Sequence, residues 1–436
     1  MGPRSLYTKI LAIGGGLTLF TLSVHSFYPT ASLTQFSFLT ARRGTCSPKS
    51  YADGEWIHRP RTSDTLMVNR EDALRYAGFE GCASSREYYW HLAADNEEHW
   101  NRFPDVNSWQ WQPKQPECHI QDMQPLDLLR ELVEEGGWLL IGDSITEGHF
   151  FSLSCMLHPH VRATPDYREN EYWDRAWPQN LYFDPGSPLI SRLNLPVGFS
   201  FANTPLVTFR RVDLLLEKHQ LIDLHHRLYV EPANFSLFSD EAVWSLDPAE
   251  YTSIFTSPEA NYKTMVVSTA GHWTTTLFDG YRDEAKTETG FGIEGVIQFF
   301  SQAAKKWAND VQRRLTDEKR RNPGKPERQV VVRAYLPGHE DCHDEFKPWD
   351  EIKPFVWNWW NWGSIWEFNE VFEELLSLSK YPNIHYLAID RPARLRPDAH
   401  VPSDCLHIMA GAGVLEGWSH YIWHFVTREI GARRIR

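Results

Sequence analysis

Four short apolar runs constrain this chain more than anything else in it. Trp138-Leu139-Leu140-Ile141, Met265-Val266-Val267, Val330-Val331-Val332 and Ile384–Ile389 each have the length of a strand, and helical stretches lie between them. Leu126–Glu135 and Trp366–Leu378 read as helices. Ile293, Val296, Ile297, Phe300, Ala304, Trp307 and Val311 recur at helical spacing, and Val414, Trp418, Tyr421, Ile422 and Phe425 define a last helix. The basic run Arg313 to Arg321 ends at Pro323 and reads as a solvated helix C-terminus. Short buried strands alternating with helices predict an α/β fold with a parallel sheet covered on both faces. In such sheets ligands bind beyond the carboxyl ends of the strands.

The first of these strands runs directly into Gly142-Asp143-Ser144. A serine at a strand-to-helix turn projects its hydroxyl at the sheet edge, where backbone N–H groups of the following helix can hold a developing oxyanion. The same tripeptide also reads as a helix cap, with Glu147 one turn on. A nucleophilic serine needs a base, and Asp404-Cys405-Leu406-His407 lies between the last strand and the last helix. His407 would take the serine proton and Asp404 would orient the imidazole. Asp223–His226 repeats that spacing, but it sits in a polar mid-chain stretch with no matching strand and reads as surface structure. The two features in this order and these contexts are far more specific than either alone.

Composition narrows the function class. The 436 residues carry 44 Lys and Arg against 57 Asp and Glu, a net charge of −13, with no long basic stripe. That argues against a nucleic-acid binder, whose phosphate contacts need clustered cations. The 19 tryptophans suit either sugar stacking or bulky core packing. The densest aromatic run, Trp357-Asn358-Trp359-Trp360-Asn361-Trp362, reads either as core or as a platform on which Trp359 and Trp360 stack a sugar while the Asn amides bind its hydroxyls. His339–Glu345 holds metal-ligand residue types, yet it reads better as a charged loop, and no metal is expected.

Ile10–Tyr28 has no Asp, Glu, Lys or Arg, and Arg4 and Lys9 precede it. As a helix it is about 28 Å long, close to the hydrocarbon thickness. The charge asymmetry predicts a cytosolic tail (1–9), a signal-anchor helix (10–28), a stem (29–45) and a luminal domain (46–436). A cleaved signal peptide is the alternative, since Gly14, Gly15 and Gly16 weaken the helix. All six cysteines (Cys46, Cys82, Cys118, Cys155, Cys342 and Cys405) lie beyond this segment, and in an oxidising lumen they are expected to pair, with several connectivities open. Asn234-Phe235-Ser236 is a glycosylation sequon. Residues 46–120 show no sustained periodicity and read as a loop-rich cap stapled by disulfides.

Together these motifs carry a resemblance. The order Gly-Asp-Ser then Asp-x-x-His is similar to the SGNH/GDSL hydrolase superfamily. More closely, the chain resembles the PC-esterase group that includes the plant trichome-birefringence-like polysaccharide O-acetyltransferases. The matching stretches are Trp109–Pro113 with Cys118, Trp138–Ser144, Ser152–Leu157, Thr269–Trp273, Arg333–His339 and Asp404–His407. The resemblance implies Ser144 as nucleophile, His407 as base and Asp404 as its partner. It also implies disulfides Cys46–Cys118, Cys82–Cys155 and Cys342–Cys405. Where the plant proteins have Arg-Asn after the serine, this chain has Glu147-Gly148, more like simple esterases. The superfamily's Asn oxyanion block is not recognisable. Gly271 and His272 stand in for it here, with Asp143 in support and Trp273 at the substrate. The expected activity is transfer of an acetyl group onto carbohydrate hydroxyls in the Golgi or a neighbouring secretory membrane. No bound cofactor is expected; acetyl-CoA is an implied co-substrate. An acetyl esterase with the same triad and a non-catalytic carbohydrate-binding protein are the alternatives.

Overall fold

The continuous apolar runs become the centre of a seven-stranded sheet. The computed structural model describes residues 46–60, 65–169, 177–354 and 359–430. Within these, the strands are β1 (Gly54–His58), β2 (Trp109–Pro113), β3 (Gly137–Gly142), β4 (Val161–Thr164), β5 (Gln179–Phe183), β6 (Pro205–Arg211), β7 (Tyr262–Ser268), β8 (Gln329–Arg333) and β9 (Ile384–Leu387). The large sheet has the order β4-β5-β6-β3-β7-β8-β9. Its β6, β3, β7, β8 and β9 run parallel, and β4 and β5 add an antiparallel edge. β3 and β8 are buried at every residue, as strands covered on both faces must be.

The purely parallel sheet expected from sequence is therefore corrected to a mixed one. β5 alternates buried and half-buried residues and lacks an apolar run. β6 opens on Pro205, tolerated at a first strand position, and ends in Arg210-Arg211, which reads as solvated until Arg211 is seen buried against Asp213 at 2.8 Å.

Four helices that matter for the site are α1 (Ser144–Met156), α2 (Ile293–Arg321), α3 (Ile365–Leu376) and α4 (Val414–His424). α1 packs on α4 through polar contacts. Ser152 Oγ donates to Glu416 Oε1 at 2.5 Å, and His149 Nε2 lies 2.9 Å from Ser419 Oγ. α2 meets α3 through Phe300 against Phe368 and Phe372, at 5.0 and 5.3 Å between rings. Leu126–Glu135 forms a helix over Pro125–Arg130 that widens by a turn at Glu131–Glu135. These elements lie within one compact unit that ends at Thr427.

The cap is more ordered than its sequence suggests. β1 and β2 form an antiparallel pair with Trp56 opposite Trp111, and Trp56 Nε1 donates to the Pro392 carbonyl at 2.9 Å. The disulfides are Cys46–Cys118, Cys82–Cys155 and Cys342–Cys405, the pairing that the resemblance implies. Among the described residues no helix is long and apolar enough to cross a membrane. The tail, signal-anchor and stem expected over 1–45 lie outside the described residues.

Candidate active site

β3 delivers Ser144 to the carboxyl edge of the sheet, and the local backbone explains why. A Cβ on Gly142 would sit 2.2 Å from Thr146 Oγ1 and 2.6 Å from the Ser268 carbonyl, so only glycine lets the chain turn straight into α1. Asp143 caps α1: its Oδ1 accepts from Ile145 N–H at 3.1 Å, and its carbonyl accepts from Thr146 and Glu147 N–H, each at 3.0 Å. The two sequence readings of this tripeptide thus coexist. The aspartate is the cap and the serine stands on the first turn, half-exposed between buried neighbours. Among the described residues the Ser144 N–H has no hydrogen-bond partner, and N–H groups at the start of a helix are able to bind an anion.

The loop after β9 meets it. His407 Nε2 lies 2.7 Å from Ser144 Oγ, and His407 Nδ1–H donates to Asp404 Oδ2 at 2.6 Å. With its proton on Nδ1, a neutral His407 accepts the serine O–H at Nε2. Asp404 Oδ1 accepts from the N–H groups of Leu406 and His407 at 2.8 and 2.7 Å. Burial pushes the Asp404 carboxyl up, but the His407 ring and these N–H groups outweigh it and hold the group down at about 2. It is an anion at any working pH.

Several contacts fix this loop. The Cys342–Cys405 bridge crosses it. The His407 carbonyl accepts from Val401 N–H at 3.0 Å and lies 3.1 Å from His400 Nδ1. Behind it, His400 Nε2 is 2.7 Å from His339 Nδ1, and burial pushes both imidazoles down, His339 to about 4. From the cap, Arg102 donates to the carbonyls of Cys342, His343, Glu345 and Asp398. Trp90 lays its ring edge-on to His407, 5.2 Å away. Neither Trp90, Arg102 nor His400 belongs to a recognisable motif. Only the position of Trp90 in an aromatic cluster, Tyr88-Tyr89-Trp90, hinted at it.

The support residues sort differently. Asp143 is fully buried, and Tyr335 O–H donates to its Oδ2 at 2.8 Å. Burial pushes its carboxyl up, while the neighbouring His272 pulls it down. Gly271 makes that contact possible, since a Cβ there would lie 2.4 Å from the Tyr335 oxygen. His272 is one-quarter exposed, with Nε2 3.7 Å from Asp213 Oδ1. Asp213 is itself buried, held by Arg211 Nε at 2.8 Å and Trp244 N–H at 2.9 Å.

Trp273 is a correction: expected at the substrate, it is fully buried and stacks on Phe278 at 4.8 Å. The turn after β7 folds it into the core beside α2, with Phe300 edge-on at 4.7 Å. In the aromatic run, the Asn361 amide is consumed internally, binding Thr275 and the Gly290 carbonyl, so it is not offered to a sugar. Trp360 is half-buried, and the Trp359 side chain lies outside the described residues. Cys342, His343 and Cys405 cluster within 4.8 Å, but both sulfurs are in the disulfide, leaving one imidazole that binds the Pro402 carbonyl. Asn234 is exposed on a turn, and Asp223 and His226 lie on the outer face of a helix, Lys218–Leu228.

Comparison with known proteins finds partial sequence matches. No protein-family model matches the chain. Trichome birefringence-like 24 of Arabidopsis thaliana is 32% identical over 124 residues, covering 28% of this chain and 24% of that protein. Trichome birefringence-like 25 of the same plant is 35% identical over 80 residues, 18% of this chain and 17% of that protein. In these stretches the chain is similar to the trichome birefringence-like proteins. The matches span a quarter or less of those relatives' length. Against the trichome birefringence-like pattern, the Glu147 departure has a structural account. Glu147 Oε1 is buried against Arg86 Nε at 3.1 Å and Gln179 Nε2 at 2.5 Å, so a guanidinium reaches this turn of α1 from the cap.

Proposed function

We propose that the chain is a serine-dependent acyltransferase that moves an acetyl group onto a carbohydrate hydroxyl. The observation that carries this is the unbroken path from Ser144 Oγ through His407 to Asp404. His407 Nε2 takes the Ser144 proton as Oγ attacks the donor's acetyl carbonyl. The negative charge that develops on the carbonyl oxygen faces the Ser144 N–H, with His272 the nearby side-chain candidate for a second donor. His407 then gives the proton to the leaving group, and the acetyl rests on Ser144. An acceptor hydroxyl loses its proton to His407, attacks the acyl-serine and frees Ser144, which recovers that proton. Asp404 stays ionised throughout and steadies the imidazolium. Acetyl-CoA is the donor in this reading, as a co-substrate.

Water can replace the sugar in the second half, making the chain an acetyl esterase. Glu147-Gly148, the esterase-like pair after the serine, favours that second reading. The two differ in whether the acceptor outcompetes water at the acyl-enzyme. Purified protein incubated with acetyl-CoA and neutral oligosaccharides is expected to yield acetylated sugar by mass spectrometry. Free acetate as the sole product defeats the transferase reading. In the same reading residues 10–28 anchor the chain in a Golgi or neighbouring secretory membrane with Asn234 glycosylated in the lumen. Resistance of the tagged C-terminus to protease in intact vesicles is the check.

A further inference from the structure

The acceptor half of the reaction needs a surface that holds a sugar ring beside His407, and one residue of the cap is placed for it. The short helix Tyr88–His91 is bolted to the site from two sides. His91 stacks on Phe151 of α1 at 4.4 Å, and its carbonyl accepts from Ala410 N–H at 2.8 Å, just past the triad histidine. This sets Trp90 against His407. Trp90 Nε1–H donates to Ser403 Oγ at 2.7 Å, next to Asp404, which stops the indole from swinging. Among the described residues Trp90 is the one aromatic ring packed against His407, and it remains half-exposed. Its neighbour Tyr89 is otherwise engaged: Arg70 covers its ring at 4.1 Å and its hydroxyl binds Glu71.

We propose that Trp90 is the platform on which the acceptor stacks, and that the acceptor is a neutral sugar ring presenting a C–H face. This rests on the transferase reading above. Both imidazole nitrogens of His407 are committed, Nδ1 to Asp404 and Nε2 to Ser144, so an acceptor hydroxyl has to reach Nε2 from the open side of the Ser144–His407 pair. An indole centred 5.2 Å from the imidazole is within one sugar ring's width of that position. Aromatic rings bind large apolar faces at little entropic cost when their orientation is already fixed. A fixed indole also favours the sugar over water, the competitor that would turn transfer into hydrolysis.

Two measurements test this. In a Ser144→Ala background, binding of a panel of neutral hexasaccharides of β-linked xylose, mannose, glucose and galactose is read by calorimetry. At least one is expected to bind, Trp90→Ala to weaken it tenfold or more, and Trp90→Phe, which keeps a ring, to weaken it less than threefold. Trp366→Ala, an exposed tryptophan on α3, is the surface control and leaves binding unchanged. Binding that is indifferent to Trp90, or absent for every panel member, overturns the platform. With Ser144 in place, the ratio of acetylated sugar to free acetate is expected to fall at least tenfold in Trp90→Ala. Transfer and hydrolysis falling together would mean that the indole only walls in His407, which also overturns it. If the wild type releases acetate alone, the transferase reading fails while the binding arm still decides the role of Trp90.

Discussion

At the scale of single residues the site is a unit, because a nucleophile without its base is an ordinary alcohol. Ser144→Ala is expected to lower acyl transfer by about three or more orders of magnitude, measured as turnover on acetyl donor with folding checked by thermal melting. The titrating groups around the triad set the acid behaviour. His339 has a folded value near 4 against the ordinary 6.5, so in that interval the unfolded chain binds a proton that the folded one refuses. Stability therefore falls as pH drops through that window. Asp404 adds a second decline from the ordinary 3.8 down to about 2, where the unfolded carboxyl protonates first. Melting temperatures across pH should show both limbs, with His339→Gln flattening the upper and Asp404→Asn the lower. Ser144, Asp404 and His407 were legible in sequence because two motifs frame them. Trp90 and His400 were not, since neither a packing contact nor a bond to a carbonyl leaves a spacing signature. Trp273 misled because its place beside His272 says nothing of which way the turn after β7 sends its ring.

Among the elements, α1 bears the site, and its buried charge pair is its weak point. Arg86 and Glu147 are both almost fully buried and 3.1 Å apart. Breaking such a pair by removing one partner costs about 3–5 kcal/mol, because the other charge is left in the interior. Glu147→Ala is expected to lose that much in denaturant unfolding. The double change Arg86→Met with Glu147→Leu should recover most of it, as apolar replacements of buried pairs often do. The elements themselves divide by what they bury. β3, β7, β8 and β9 and the helices α2 to α4 were readable, since continuous apolar runs and a helical stripe both survive in one sequence. β4 and β5 were missed because they carry a mixed pattern of buried and half-buried residues, and β6 because polar residues interrupt it and its final arginine is hidden in an ion pair with Asp213. All four strand signals were sound and all four strands run parallel; the antiparallel pair β4 and β5 simply has no long apolar run to announce it.

Across the whole molecule, the cap and the three disulfides hold the parts of the site at fixed separation. Cys342–Cys405 closes a loop of 63 positions next to the triad acid and base. Replacing both cysteines by serine is expected to cost about 2–4 kcal/mol of stability. Turnover should fall by a larger factor than stability explains at a temperature where the protein stays folded, since Asp404 and His407 lose their tether. Activity and circular dichroism on the same samples separate the two effects. The cysteine pairing was legible only through resemblance, because six positions admit many pairings and burial alone does not choose among them.

Ser144 and His407 lie 263 positions apart. During synthesis the alcohol is therefore made long before its partner. Until the strand β9 and the loop behind it have been added, a growing polypeptide has a serine no more reactive than any other. A message truncated anywhere upstream of codon 407 yields a product that folds what it can and attacks nothing. The wiring of the chain thus withholds the paired serine from every copy that stops short of its last loop.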